Sequence, residues 1–168
     1  NGTLLADKAE SLARAGLDRV TVSLDALDDT TFQAMSDSKI SVNTVLEGIS
    51  AAQGAGLGPV KVNAVVQRGV NEHAVVELAR YFHGTGVSVR FIEYMDVGSC
   101  NGWSQAEVIS RDEMLKLLHA EFDLEPVVAQ ELGEVARRWR HVDGGGEVGI
   151  ISSVSEPFCG DCCRARLS

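Results

Sequence analysis

Three times before residue 97 the sequence runs from helical spacing, through a glycine, into a short run rich in β-branched residues. Residues 4–16 give way to 19–24 (RVTVSL), residues 41–55 to 60–66 (VKVNAVV), and residues 71–83 to 87–92 (VSVRFI). Gly16, Gly56 to Gly58 and Gly84 to Gly86 punctuate the helix ends, where a left-handed residue stops the helix. Short strands alternating with helices predict parallel βα units, because a parallel connection needs a helix-length crossover. Asp28-Asp29-Thr30-Thr31 reads as the start of a further helix, with Asp28 as N-cap.

The pattern changes after residue 97. A Gly/Ser/Asn-rich loop leads to an amphipathic helix over 110–122, opened by the capping-box run Ser110-Arg111-Asp112-Glu113. Residues 135–141 and 148–153, separated by Asp143-Gly144-Gly145-Gly146, predict a β-hairpin. The expected fold class is therefore α/β: three parallel βα units over residues 1–105, then a small antiparallel appendage over 106–168. Three parallel strands leave a sheet edge open, and a complete barrel or doubly wound sheet needs more. The sequence begins at Asn1-Gly2 and stops five residues after a cysteine cluster. Both ends suggest an excerpt of a longer protein.

A formal net charge of −9 argues against general nucleic-acid binding, which needs a basic surface. No apolar run is long enough to span a membrane, and nothing resembles a secretion leader, so the cytosol is the expected compartment. An anionic small molecule remains compatible if basic residues converge in one pocket.

Ligands of parallel α/β folds bind at the C-terminal strand ends, which singles out Ser23-Leu24-Asp25, Gln67-Arg68-Gly69 and Tyr94-Met95-Asp96. Lys61 and Arg90 lie inside strands, where burying an unpartnered charge is costly. Either both face an enclosed interior and make it cationic, or alternation sets them on a solvated face. Cys159-Gly160-Asp161-Cys162-Cys163 presents a C-x-x-C turn beside Arg164 and Arg166, whose charges favour thiolates. A metal or cluster site is the favoured reading; a redox pair and inert cysteines are the alternatives. Two thiolates do not close a site, since zinc and typical clusters want about four ligands. Arg164 and Arg166, two apart, would project to one side of an extended segment and suit a phosphate. Trp103 reads as a loop anchor, His73, His83 and His119 sit on helices with no partner at ligand spacing, and His141, near the hairpin turn, is expected to be exposed.

These blocks together resemble a known family. VTVSLDALD at 20–28, VKVNAVVQRG at 60–69, RFIEYMDVG at 90–98 with Asn101-Gly102-Trp103, and FCGDCCRARLS at 158–168 are similar, in order and spacing, to the GTP 3′,8-cyclase family of radical S-adenosylmethionine (SAM) enzymes. The resemblance covers essentially the whole chain. It implies the second half of an incomplete six-strand (βα) barrel followed by the start of a C-terminal layer. It further implies the first step of molybdenum cofactor biosynthesis, in which a radical from SAM takes hydrogen from ribose C3′ of GTP and C3′ bonds to guanine C8. By the same resemblance Ser23 and Met95 contact SAM, while Lys61, Arg90 and the segment Arg164, Ala165 and Arg166 bind GTP. Cys159 and Cys162 are two ligands of the second of two 4Fe–4S clusters, with Cys163 next to them as a possible substitute for Cys162. The sequence has neither the C-x-x-x-C-x-x-C of the first cluster nor a third ligand after Arg166. The isolated chain is accordingly expected to be inactive, and to self-associate through its exposed sheet edge. Two other function classes stay open: a small metal-binding or scaffold domain built on the cysteine turn, and a plain βα binding domain for a phosphorylated ligand.

Overall fold

Sequential parallel strands joined by right-handed crossovers put all their helices on one side of a sheet, and that is the arrangement found. The computed structural model describes residues 2–97, 102–128 and 134–156. Along the chain come α1 (Leu5–Arg14), β1 (Thr21–Ser23), α2 (Asp29–Ser36), α3 (Val42–Gly54), β2 (Lys61–Val66), α4 (Ala74–Phe82), β3 (Ser88–Glu93), α5 (Arg111–His119), β4 (Leu124–Val127), β5 (Arg137–His141) and β6 (Glu147–Ile151). The three βα units and the hairpin follow the sequence pattern, with ends moved by up to three residues. The first strand is shorter than its apolar run, Thr21–Ser23 in place of residues 19–24.

The strands form one sheet in the order β1-β2-β3-β6-β5-β4. β1, β2, β3 and β6 are parallel, and β5 runs antiparallel to both β6 and β4. The hairpin is antiparallel as expected, but it is not set apart from the parallel strands. β6 pairs with β3 from Val89↔Val148 to Ile92↔Ile151, so the hairpin extends the same sheet.

Alternation sorts the two faces. Val22, Val62, Ala64, Val66, Val89, Phe91, Val148 and Ile150 are buried and belong to one apolar cluster. Against them pack Phe32, Val45, Ile49, Leu78, Phe82, Met114 and Leu118 from the helices. The opposite face carries the half-buried Lys61, Asn63, Val65, Ser88, Arg90 and Ile92. Local signals place the helices as the sequence predicts. The Thr31 N–H donates to Asp28 Oδ1 at 2.8 Å, and Ser110 with Glu113 closes a capping box on α5. α1 lies close against α3 because Gly48 has no side chain: a Cβ there would stand 2.8 Å from the carbonyl oxygen of Gly2.

Candidate functional site

Register assembles the open face from distant parts of the chain. Ser23 pairs with Asn63, Asn63 with Arg90, and Arg90 with Gly149, forming one row across four parallel strands. Thr21, Lys61 and Ser88 form the row below. Lys61 and Arg90 therefore share a face, as two strand residues of equal parity must once the strands align. The Nε–H of Arg90 donates to Asn63 Oδ1 at 3.0 Å, and its Nη2 donates to the Thr21 hydroxyl at 3.4 Å. Gly149 makes room for this side chain, since a Cβ there would lie 3.1 Å from Arg90 Cγ.

The face is cationic. Burial lowers the Lys61 ammonium below its ordinary value, and the charges of Arg90, Arg19 and Arg138 lower it further, with Glu134 opposing. Arg138, in register with Gly149, bonds to Glu147 at 3.0 Å and Glu134 at 2.6 Å. Its charge is thus already balanced, whereas Lys61 has no ion pair among the described residues. A face with surplus positive charge in an acidic protein attracts a polyanion.

The strand ends above this face are stitched together. Asn71, fully buried, donates from its amide to the carbonyls of Asp25 and Val65, both at 2.8 Å, and accepts the Gln67 N–H at 2.8 Å. The Asp25 carboxylate accepts the Val65 N–H at 2.8 Å; burial pushes its pKa up and that bond pulls it down. Ser23 is exposed at the end of β1, and Met95 is 41% exposed two residues past β3. Trp103 donates its indole N–H to the Tyr94 carbonyl at 3.1 Å, which fits a loop anchor. Cys159, Cys162, Cys163, Arg164, Ala165 and Arg166 lie outside the described residues, as does Cys100.

Four residues of this neighbourhood were not singled out in the sequence: Thr21, Asn63, Asn71 and Gly149. Parity could have found Asn63, which sits two residues from Lys61 within one strand. At the far end of the sheet His83, His141 and Asp143 also converge, their ligand atoms within 4.8 Å of one another, and His141 is buried rather than exposed because its ring packs against Phe122 and His83. There His83 Nε2 meets the Asp143 carboxylate at 3.0 Å, and Asp143 caps its own turn by accepting the Gly145 N–H at 2.9 Å. Distant spacing in the sequence hid this cluster.

A parallel sheet wound in one direction, with a basic row under its strand ends, is a frame that binds ligands at those ends. Comparison with known proteins gives the family. Residues 1–82 match the family model described as Radical SAM superfamily, and residues 87–168 match Molybdenum Cofactor Synthesis C. Among curated relatives, the whole chain is 52% identical to a GTP 3′,8-cyclase of Xanthomonas axonopodis pv. citri, 49% to one of Acidothermus cellulolyticus and 48% to one of Staphylococcus saprophyticus. The chain belongs to the GTP 3′,8-cyclase family of the radical SAM superfamily. It spans about half the length of these relatives: 50%, 46% and 49% respectively.

Proposed function

We propose that the chain is the substrate-facing part of a radical SAM GTP 3′,8-cyclase, which converts GTP to (8S)-3′,8-cyclo-7,8-dihydroguanosine 5′-triphosphate at the start of molybdenum cofactor biosynthesis. The observation that carries this reading is the row Ser23–Asn63–Arg90 with Lys61 beneath it. It joins a SAM-side hydroxyl and two substrate-side cations on one face of a singly wound sheet. In this reading the sheet is the second half of an incomplete six-strand barrel, and its open face is the barrel interior. Among the described strands β1 is an edge, on which a further barrel strand can pair. The order β1-β2-β3 without reversal supports a barrel over a doubly wound sheet, whose strand order must reverse.

The residues present suit SAM. Ser23 offers an exposed hydroxyl, and Met95 an exposed, polarisable apolar surface against which an adenine can lie. SAM, with a reducing 4Fe–4S cluster, supplies the one-electron chemistry that removes a ribose hydrogen. The four cysteines of the sequence form no C-x-x-x-C-x-x-C, so no ligand of that first cluster comes from these residues. Cys159 and Cys162 suit a second cluster as thiolate donors beside basic residues. The chain's own work is binding and orientation. Lys61 and Arg90 compensate phosphate charge, Asn63 fixes the direction of the Arg90 guanidinium, and Arg164 and Arg166 supply two further cations. Residues 1–105 then form the barrel part and 106–168 open the C-terminal layer.

The test is product analysis with the full-length protein that carries this sequence, anaerobically reconstituted and supplied with SAM, reductant and GTP. Formation of the cyclic nucleotide, lost in Lys61→Ala and Arg90→Ala at sub-saturating GTP, supports the reading. Zinc in place of iron and sulfide, with no GTP turnover, would favour a metal-binding module.

A further inference from the structure

Glu93 is the one charged residue on the helix-covered face of β3. Val89, Phe91 and Glu93 point the same way, and Glu93 has 0% of its surface exposed. Both its oxygens act as acceptors. Oε1 receives the Arg111 N–H at 2.9 Å and the Ser155 hydroxyl; Oε2 receives the N–H groups of Val154 at 2.8 Å and Ser155 at 2.7 Å. Among the described residues no ion pair involves it; three backbone N–H groups and one hydroxyl hold it. One of them is the first N–H of α5, where the helix end favours negative charge. The same side chain thus joins the end of β3, the start of α5 and the segment leaving β6.

A second clamp secures that segment. The Glu156 carboxylate receives Arg111 Nη1 at 2.6 Å and Arg137 Nε at 2.9 Å. Residues 154, 155 and 156 are therefore all tied down immediately before Pro157, and Cys159 follows two residues later. Glu93 also shares its strand with Arg90, three residues before it, and precedes Met95 by two. At about 3.3 Å per residue all three fall within roughly 17 Å of one extended segment.

We propose that Glu93 is a positioning residue, whose carboxylate fixes residues 154–156, the segment that leads in sequence to Cys159 and Cys162, against the strand that carries Arg90. What those cysteines hold rests on the reading above; the positioning itself does not. The N–H groups of residues 154 and 155 share one acceptor, Glu93 Oε2. A shift of the carboxylate therefore moves the segment while leaving the β3–β6 ladder intact.

The experiment uses the full-length protein as wild type, Glu93→Gln, and Ser155→Ala, which removes a single donor and spares the buried charge. The first readout is amide hydrogen exchange. In Glu93→Gln, Val154 and Ser155 should lose about tenfold or more of their protection while residues 148–151 keep theirs; a residue that orients a ligand set from outside carries effects of about 10- to 100-fold. Ser155→Ala should fall between the two. The second readout is kinetic: KM for GTP should rise by about tenfold, with KM for SAM moving much less. Unchanged exchange at 154 and 155 in Glu93→Gln overturns the proposal. So does a loss of protection spread evenly over β3 and β6, or an equal rise in both KM values, because either would mean a general folding role. If the wild type converts no GTP, the functional reading fails, and the exchange measurement still decides the role of Glu93.

Discussion

Arg90 and Asn63 face each other in register across β3 and β2, and the Arg90 Nε–H donates to Asn63 Oδ1 at 3.0 Å. The bond leaves the guanidinium directed along the open face. Hydrogen bonds to charged groups are worth about 1.5–3 kcal/mol. Asn63→Leu should therefore weaken GTP binding by about tenfold or more in the full-length protein, measured by calorimetry, with SAM binding nearly unchanged. Thr21→Val removes a longer contact of 3.4 Å and should cost less. Equal losses for both ligands would mean that Asn63 only supports the sheet.

Lys61 is held at a cost to stability. Burial and three nearby guanidinium groups lower its pKa below 10.5, so the folded chain binds that proton less tightly than the unfolded chain. The penalty is full at pH 7 and fades as pH rises through the depressed value toward 10.5. Lys61→Met should raise the melting temperature at pH 7, lose that advantage in alkaline buffer, and weaken GTP binding. A binding cation that destabilises the empty protein is the usual mark of a functional position. Lys61→Met melting below wild type at pH 7 would refute the electrostatic argument.

The parallel units and both caps were legible because period, glycine stops and capping residues are local signals. Two features were not. β4 contains Pro126, which argues against a central strand; the structure resolves this by making β4 an edge. The pairing of β6 with β3 joins residues 59 apart at Val89↔Val148, and no local signal encodes a contact of that separation. Of the site, the parity of Lys61 and Arg90 was readable strand by strand, but their common face needed the register. Glu93 broke the apolar pattern of its own strand face, and parity alone could have marked it.

His141 links the hairpin to acid sensitivity. Burial first, then the neighbouring His83, lowers its pKa below 6.5, with Asp143 opposing. Its ring is packed edge-on against Phe122 at 5.1 Å and against His83 at 4.7 Å. A base with a depressed pKa in the folded state leaves stability intact above 6.5, and stability declines as pH falls below that value. Thermal melts between pH 7.5 and 5 should show a falling midpoint in wild type and a flatter profile in His141→Phe. Parallel profiles would remove His141 from the account.

The isolated chain should not cleave SAM reductively, because its four cysteines supply no C-x-x-x-C-x-x-C. Detection of 5′-deoxyadenosine from this chain after anaerobic reconstitution would contradict the assignment of the first cluster to other residues.

The free edge makes the last prediction. In a parallel strand successive residues turn their backbone groups to opposite sides. The Val20 carbonyl accepts from Lys61 and the Leu24 N–H donates to Asn63, so alternate residues of β1 serve β2. Thr21 and Ser23 therefore direct their N–H and C=O groups outward, where no described strand lies. This edge is shorter than residues 19–24 suggested, and Val22 is buried behind it. The open face is less apolar than three bare strands would be, since Lys61, Asn63, Ser88 and Arg90 occupy it. The pull toward a partner thus comes from the edge and from α1 beside it, where Leu4 is 67% exposed, Leu12 36%, and Leu17 just beyond 41%. An edge left unpaired among the described strands, with exposed leucines in the segment before it, invites strand addition. The isolated chain should self-associate as concentration rises, seen as increasing mass in light scattering or sedimentation. Leu4→Lys should shift it toward monomer without lowering its melting temperature, because that side chain already faces water. A wild-type chain that stays monomeric at high concentration would overturn the prediction and mean that two outward residues are too short an edge to pair.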